Sequence, residues 1–234
     1  MTQDELKQAV AQAAADYVAA HAPAGSIIGV GTGSTANYFI DELARRRAEE
    51  GLQVTAVASS TISAIKAHAL GLPLVALEHL ERIDLYVDGA DEVAPDLTLL
   101  KGRGSDLVRE KLLATAADAF VVLVDKSKLV GRIGERYPIP VEVMPFAWGL
   151  VKRHLESLGG RGELRRNAAG DGLAVTSHGS LVLDMTFGGD WDGQALNDAL
   201  NGSPGVVEHG VFLGLASAVF IAADGVVEER RAVH

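Results

Sequence analysis

Two aspartates three positions apart, Asp88 and Asp91, are followed by Lys101 and then, nine residues later, by Glu110. All four lie in the stretch DLYVDGADEVAPDLTLLKGRGSDLVREK, residues 84–111. Carboxylates and an ammonium group are the parts of a proton-transfer site. The carboxylates move the proton, and the cation holds the anion that forms on the way. Asp88 and Asp91 stand on a tight turn with Gly89 and Ala90 between them. If their carboxylates are close they cannot both ionise freely, and one pKa rises. Lys101 can bring a positive charge back to the same place. Each group also has an ordinary reading. The aspartates can be turn formers of the Asx kind, and Arg109-Glu110-Lys111 has the look of a solvated helix face. The stretch holds no evident metal site. The histidines (His21, His68, His79, His154, His178, His209 and His234) form neither His-x-x-His nor His-Glu-x-x-His spacing, so surface or structural positions are expected for them.

A second chemical feature is Gly29-Val30-Gly31-Thr32-Gly33-Ser34-Thr35, between an apolar run and a helix-forming segment. Glycines let backbone approach an anion, and a helix start offers free N–H groups. As a dinucleotide fingerprint the loop is deficient. Counted from Gly29, Ser34 replaces the last glycine; counted from Gly31, only the looser form ending at Ala36 fits. The acidic residue such sites carry is missing from residues 54–59. No lysine precedes Ser34-Thr35, which excludes a nucleotide P-loop. The hydroxyls suit a small phosphate monoester. The plain alternative is a tight turn with Ser34 as N-cap.

The elements that must position these groups can be read from periodicity. Thr2 and Glu5 form a capping box ahead of an Ala-rich helix over residues 3–20. Apolar runs at 26–30, 54–58, 74–77, 83–87 and 120–124 read as strands, with helices from the glycine loop to about residue 49, over 60–70, and around Glu110. This alternation predicts a parallel sheet covered on both faces, with loops at its strand ends forming the crevice. The segment YPIPVEVMP (137–145) carries three prolines, each lacking a ladder donor. It is therefore excluded from a central strand and marks the passage into a smaller unit. That unit shows a helix (146–158), strands around 164–167 and 181–187, and a helix near 192–200, an α+β pattern. Short strands at 206–209 and 218–222 are expected to rejoin the first sheet. The resulting division is a discontinuous first domain, 1–131 plus 208–234, and a small domain, 132–207. Trp148 is expected in core or interface packing, and apolar residues around 211–215 are expected to be exposed for an interface.

Composition narrows the classes. The 234 residues suffice for a substantial core, and 48% hydrophobic with 22% charged residues is ordinary soluble usage. A net charge of -10 argues against nucleic-acid binding, and an anionic substrate must be drawn in by a local positive focus. With no cysteine, disulfides, thiolate chemistry and Cys-ligated zinc are excluded. No apolar run reaches the roughly 18 residues of a membrane span, and a cytoplasmic protein is expected.

Three motifs in order, GVGTGSTA (29–36), DGADEV (88–93) and KGRGSDLVREK (101–111), then DKSK (125–128), resemble the ribose-5-phosphate isomerase A family. The likeness continues through MTQDELK at the start, PIPVEV (138–143), LGG (158–160) and PGVVEHGVF (204–212). The resemblance implies a Rossmann-like α/β domain with a smaller α+β lid domain. It implies a cofactor-free, metal-free aldose–ketose isomerase of the non-oxidative pentose phosphate pathway, acting on ribose 5-phosphate and assembled as a homodimer or tetramer. Glu110 falls at the general-base position. Thr32, Gly33, Ser34 and Thr35 fall in a first substrate-binding loop, Asp88, Gly89, Ala90 and Asp91 in a second, and Lys101, Gly102, Arg103 and Gly104 in a third. Lys128 falls at a further substrate-binding position. In this scheme Lys101 stabilises the oxyanion, while Asp88 and Asp91 bind sugar hydroxyls and one of them assists ring opening. One departure stands out: Arg103 interrupts the expected glycine run, and Ser105-Asp106 replaces small residues. Arg103 must then accept the backbone angles of that loop or the loop has relaxed. The alternatives are an amino-sugar phosphate isomerase of the same fold and a sugar-phosphate sensor without catalysis.

Overall fold

Thr2 opens the first helix as the capping box predicts. Its hydroxyl accepts the Glu5 N–H at 3.2 Å, and the Glu5 carboxylate accepts the Thr2 N–H at 2.7 Å. The structure is a computed structural model that describes residues 2–104, 106–189, 191–223 and 225–232; Ser105 and His234 lie outside the described residues. The elements follow in the order α1 (Gln3–His21), β1 (Ser26–Val30), α2 (Ser34–Glu50), β2 (Val54–Ala58), α3 (Thr61–Ala69), β3 (Ile83–Gly89), β4 (Glu92–Val93), β5 (Leu99–Leu100), α4 (Leu107–Ala116) and β6 (Ala117–Asp125). After these come β7 (Ile139–Val143), α5 (Trp148–Ser157), β8 (Gly160–Leu164), β9 (Leu181–Phe187), α6 (Gly193–Asn201), β10 (Val206–His209), β11 (Val211–Phe212), β12 (Ala218–Ala223) and β13 (Val226–Arg231). The chain divides into two compact units, Met1–Ala90 with Arg109–Leu129 and Gly214–His234, and Asp91–Val108 with Val130–Leu213. Residues 91–108, expected in the first domain, group with the second unit. No helix among the described residues is long and apolar enough to cross a membrane.

The first unit is built on a six-stranded sheet in the order β13-β12-β6-β3-β1-β2. All neighbours are parallel except the β12–β13 hairpin. The strands read as continuous apolar runs because helices cover them, as a buried parallel sheet requires. The small residues Ala11, Ala14 and Ala15 let α1 approach closely, and Phe39, Ile40 and Leu43 of α2 are fully buried in the same core. Each of those three large side chains contributes roughly 1.5–3 kcal/mol of hydrophobic stabilisation. Because β1, β2, β3 and β6 run parallel, the residues that follow them emerge along one edge of the sheet. The expected strand at 74–77 is absent; Leu74 makes one bridge to Ala56, and Leu77–His79 is a turn of 3-10 helix.

The second unit holds an antiparallel sheet, β10-β7-β9-β8, and a small sheet, β11-β5-β4. The expected exclusion of 137–145 from a central strand is overturned. The strand β7 is central, paired with both β10 and β9, although it contains Pro140. The pairing with β10 ends at Val141–His209, so the missing N–H of Pro140 faces a position where that strand has finished. Gly210 lies against the ring instead; a Cβ there would stand 2.6 Å from Pro140 Cδ. The Pro140 carbonyl still accepts the Gly210 N–H at 2.8 Å. The expected return of 206–209 to the first sheet is also overturned, since β10 pairs with β7, whereas β12 does join the first sheet. Val211 and Phe212 are buried and cannot supply the exposed interface expected around 211–215. Trp148 is 41% exposed, so it is not core. The core of this unit joins Val141, Val143, Leu183 and Met185 to Val151 and Leu155 of α5 and Leu196 and Leu200 of α6.

Glu142, on the opposite face of β7 from Val141 and Val143, is fully buried. Its Oε1 accepts the Thr176 hydroxyl at 2.8 Å, and its Oε2 has no hydrogen-bond partner among the described residues. Burial pushes its carboxyl above the usual range, against the opposing pull of the Thr176 and Ser180 hydroxyls. A raised folded-state pKa favours the protonated folded state. The corresponding stability is full below the unfolded value, roughly 4.3, and is lost as pH rises through the folded value. Glu142→Gln removes this dependence. In urea unfolding between pH 4 and 8, the stability of the variant relative to the parent is expected to climb with pH and then level; a flat difference would contradict the assignment.

Candidate functional site

The turn from β1 into α2 is shaped around Asp88. A Cβ on Gly31 would stand 1.9 Å from Asp88 Oδ1, so only glycine fits there. Gly33 has φ +112°, a conformation that side chains resist, and is the N-cap of α2 without any side-chain hydrogen bond. Ser34 is therefore the first helical residue, not the N-cap. Asp88 itself is fully buried at the end of β3. Its Oδ1 accepts the N–H of Thr32 at 3.1 Å and of Gly89 at 2.7 Å, and its Oδ2 accepts the Tyr86 hydroxyl at 2.5 Å. One carboxylate thus ties the glycine loop to the acidic turn.

The Thr32 hydroxyl is engaged with a cluster of serines. It donates to Ser60 Oγ at 2.7 Å and lies 2.8 Å from Ser59 Oγ and 3.1 Å from Ser63 Oγ. Ser63 Oγ in turn donates to the Gly31 carbonyl at 2.7 Å. Tyr86 is fully buried and stacks on Phe120 with centroids 4.8 Å apart. Burial, with the charges of Asp88 and Glu110 added, holds its phenol well above the ordinary range, so it stays a donor.

Glu110 is not on a solvated helix face. It is 5% exposed, while Leu112 on the same helix is 52% exposed. An arrangement chosen for stability alone would reverse the two, since burying a carboxylate is costly. The neighbouring Arg109 donates to the Ala58 carbonyl at 3.3 Å, fastening α4 to the end of β2. Lys128, partly buried, ends the short 3-10 turn Lys126–Lys128 after β6, where Asp125 accepts the Ser127 N–H at 2.8 Å. Lys126 is exposed.

The second unit carries Asp91, Lys101 and Arg103, so Asp88 and Asp91 fall in different units. The β4–β5 register pairs Glu92 with Leu100 and Val93 with Leu99, and the Asp91 N–H donates to the carbonyl of Leu100, the residue before Lys101, at 2.8 Å. Lys101 is 4% exposed. Its N–H donates to the Gly210 carbonyl at 3.0 Å, and its Nζ lies 5.7 Å from the centroid of Phe212. The left-handed angle of the loop falls on Gly102 (φ +97°), which frees Arg103 from that demand. The Arg103 guanidinium stacks 3.8 Å over the Tyr137 ring and stands 3.9 Å from Asp91 Oδ1. Gly104 is exposed.

Sequence reasoning missed three groups of supporting residues. Tyr86 was legible as the residue two before Asp88, on the same strand face. The run Ser59-Ser60-Thr61-Ile62-Ser63 announced hydroxyls at the end of a strand. Glu92 is fully buried and accepts the N–H groups of Gly134, Arg136 and Tyr137 at 2.6, 2.7 and 2.9 Å, a loop clamp with no signal apart from its place in the acidic turn. No cluster of metal-ligating side chains occurs among the described residues.

The family model for ribose 5-phosphate isomerase A (phosphoriboisomerase A) matches residues 55–225. The ribose-5-phosphate isomerase A of Roseiflexus sp. (strain RS-1) is 47% identical over 219 residues, covering 93% of this chain and 94% of that protein. Among solved structures, ribose 5-phosphate isomerase A from Methanocaldococcus jannaschii superposes with TM-score 0.91 at 38% identity, covering 98% of this chain and 100% of that chain. A D-ribose-5-phosphate isomerase solved in complex with phospho-erythronic acid superposes with TM-score 0.93 at 34% identity, covering 99% and 100%.

Proposed function

This chain belongs to the ribose 5-phosphate isomerase A family, and from that premise we propose that it interconverts D-ribose 5-phosphate and D-ribulose 5-phosphate through an enediolate. The observation that carries the proposal is the burial of Glu110, a carboxylate kept 5% exposed on a helix that leaves a leucine in solvent. A shielded carboxylate suits the lifting of a proton from C2 and its return to C1. Lys101, a compact charge held 4% exposed, stabilises the oxyanion that develops on the adjacent oxygen. Asp88 and Asp91 bind sugar hydroxyls. Asp88 is already engaged by two N–H groups and a phenol, so ring opening falls to Asp91, whose contacts with Arg103 are long, 3.4 and 3.9 Å. Gly33, Ser34 and Thr35 at the start of α2, with Lys128, hold the phosphate, whose binding energy orients the reacting end. Gly89, Ala90, Gly102, Arg103 and Gly104 supply the walls of the second and third loops. In this reading the protein needs no cofactor, serves the non-oxidative pentose phosphate pathway and assembles as a homodimer.

The test is conversion of ribose 5-phosphate to ribulose 5-phosphate with EDTA present. EDTA-resistant turnover is expected. Tight binding of the sugar phosphate without turnover would replace the proposal with a sensor.

A further inference from the structure

Arg165 follows β8 directly and is gripped from one side by Asp184 of β9. Its Nε donates to Asp184 Oδ2 at 2.9 Å and its Nη2 to Asp184 Oδ1 at 2.5 Å, a bidentate pair with side chains 15% and 26% exposed. The backbone beneath it is tied as well, with the Arg165 N–H on the Val182 carbonyl at 2.8 Å. On its other side the same guanidinium reaches the Lys-Gly-Arg-Gly loop. Nη1 donates to the Gly102 carbonyl at 3.1 Å and to the Arg103 carbonyl at 3.2 Å.

Two successive carbonyls aimed at one cation fix the planes of two successive peptides. In a trans peptide the N–H points opposite to the C=O, so the N–H groups of Arg103 and Gly104 are turned away from Arg165. The Arg103 N–H lies 3.4 Å from Asp91 Oδ2 on that side. A guanidinium suits the task because its planar fork serves a carboxylate and two carbonyls at once, which an ammonium cannot do.

We propose that Arg165, oriented by Asp184, is a positioning residue for catalysis: it sets the peptide planes of residues 102–104 and so the aim of the loop that begins at Lys101. The inference rests on the isomerase reading above and adds to it a residue remote from all three motifs in sequence. Its expected signature is kinetic. Misplacement of a catalytic loop by about an ångström costs up to about 100-fold in rate.

The experiment measures kcat and KM for ribose 5-phosphate with Arg165→Met and Arg165→Lys, per folded molecule, together with hydrogen exchange of the amides of residues 101–104. Arg165→Met is expected to lower kcat by about 10- to 100-fold with KM changed less than about threefold, and to speed amide exchange in the loop. Should the methionine variant fail to fold, Arg165→Lys keeps the charge but not the fork, and the same fall in kcat is expected from it. Folded variants with kcat within twofold of the parent, or with unchanged exchange at 101–104, would overturn the proposal. A parent that exchanges as expected but shows no turnover would sink the isomerase reading, while faster exchange in the variants would still support the loop assignment.

Discussion

Glu110→Gln is expected to lower kcat for ribose 5-phosphate by about three orders of magnitude while KM stays within about threefold. Glutamine keeps the volume and much of the hydrogen bonding of the side chain but cannot take a proton from carbon. A factor of about 1,000 corresponds to roughly 4 kcal/mol of transition-state stabilisation, within reach of a positioned general base. The phosphate end of the substrate is unaffected, which is why KM holds. Stability is not expected to fall, because a buried carboxylate costs free energy that an amide does not. Glu110→Asp retains a base but withdraws it by one methylene, and an intermediate loss is expected. Initial rates and urea unfolding on the same preparations decide the matter. A loss of activity that merely tracks a loss of fold would place Glu110 in the architecture and not at the reaction.

The second large effect is expected at Lys101. Lys101→Met removes the cation from a position that is 4% exposed, where water cannot replace it. The loss of kcat should be about 100- to 1,000-fold, the size found for removing one preorganised stabiliser of a developing oxyanion. Arginine should not restore it. Lys101 sits with its backbone pinned to Gly210, where a Cβ would meet the Lys101 carbonyl at 2.3 Å, so the chain cannot shift to admit a broader planar head. Steady-state kinetics of Lys101→Met and Lys101→Arg test this; arginine activity close to that of the parent would mean that only charge matters there.

Much of the first unit was legible because its signals are local. Short apolar runs marked β1 and β2 to the residue, and the capping box marked the start of α1. The second unit was less legible because its decisions are made by partners distant in sequence. Pro140 is tolerated in a central strand only because β10 stops one residue short of it and Gly210 accepts the ring. Val206–His209 has the same short apolar look whichever sheet it joins, and only pairing with β7 settles its place. The strand β13 escaped notice because its Glu228-Glu229-Arg230-Arg231 run is that of an exposed edge. In the site, residue identities were legible and burial was not. Arg109-Glu110-Lys111 looks solvated on paper, yet Glu110 is enclosed. The bond from Asp91 to Leu100 extends a two-residue ladder too short to announce itself.

An enediolate mechanism requires that a proton move between C2 and C1 through an intermediate that can exchange with water. The most direct measurement uses ribose 5-phosphate deuterated at C2, held with the enzyme in ordinary water through many turnovers. Progressive loss of deuterium to solvent is expected, slowed by Glu110→Gln by the same factor as the isomerisation itself. Equilibration with all of the deuterium retained on C1 and C2, at a rate that Glu110→Gln leaves unchanged, would indicate a direct hydride shift and would contradict both the enediolate and Glu110 as its base.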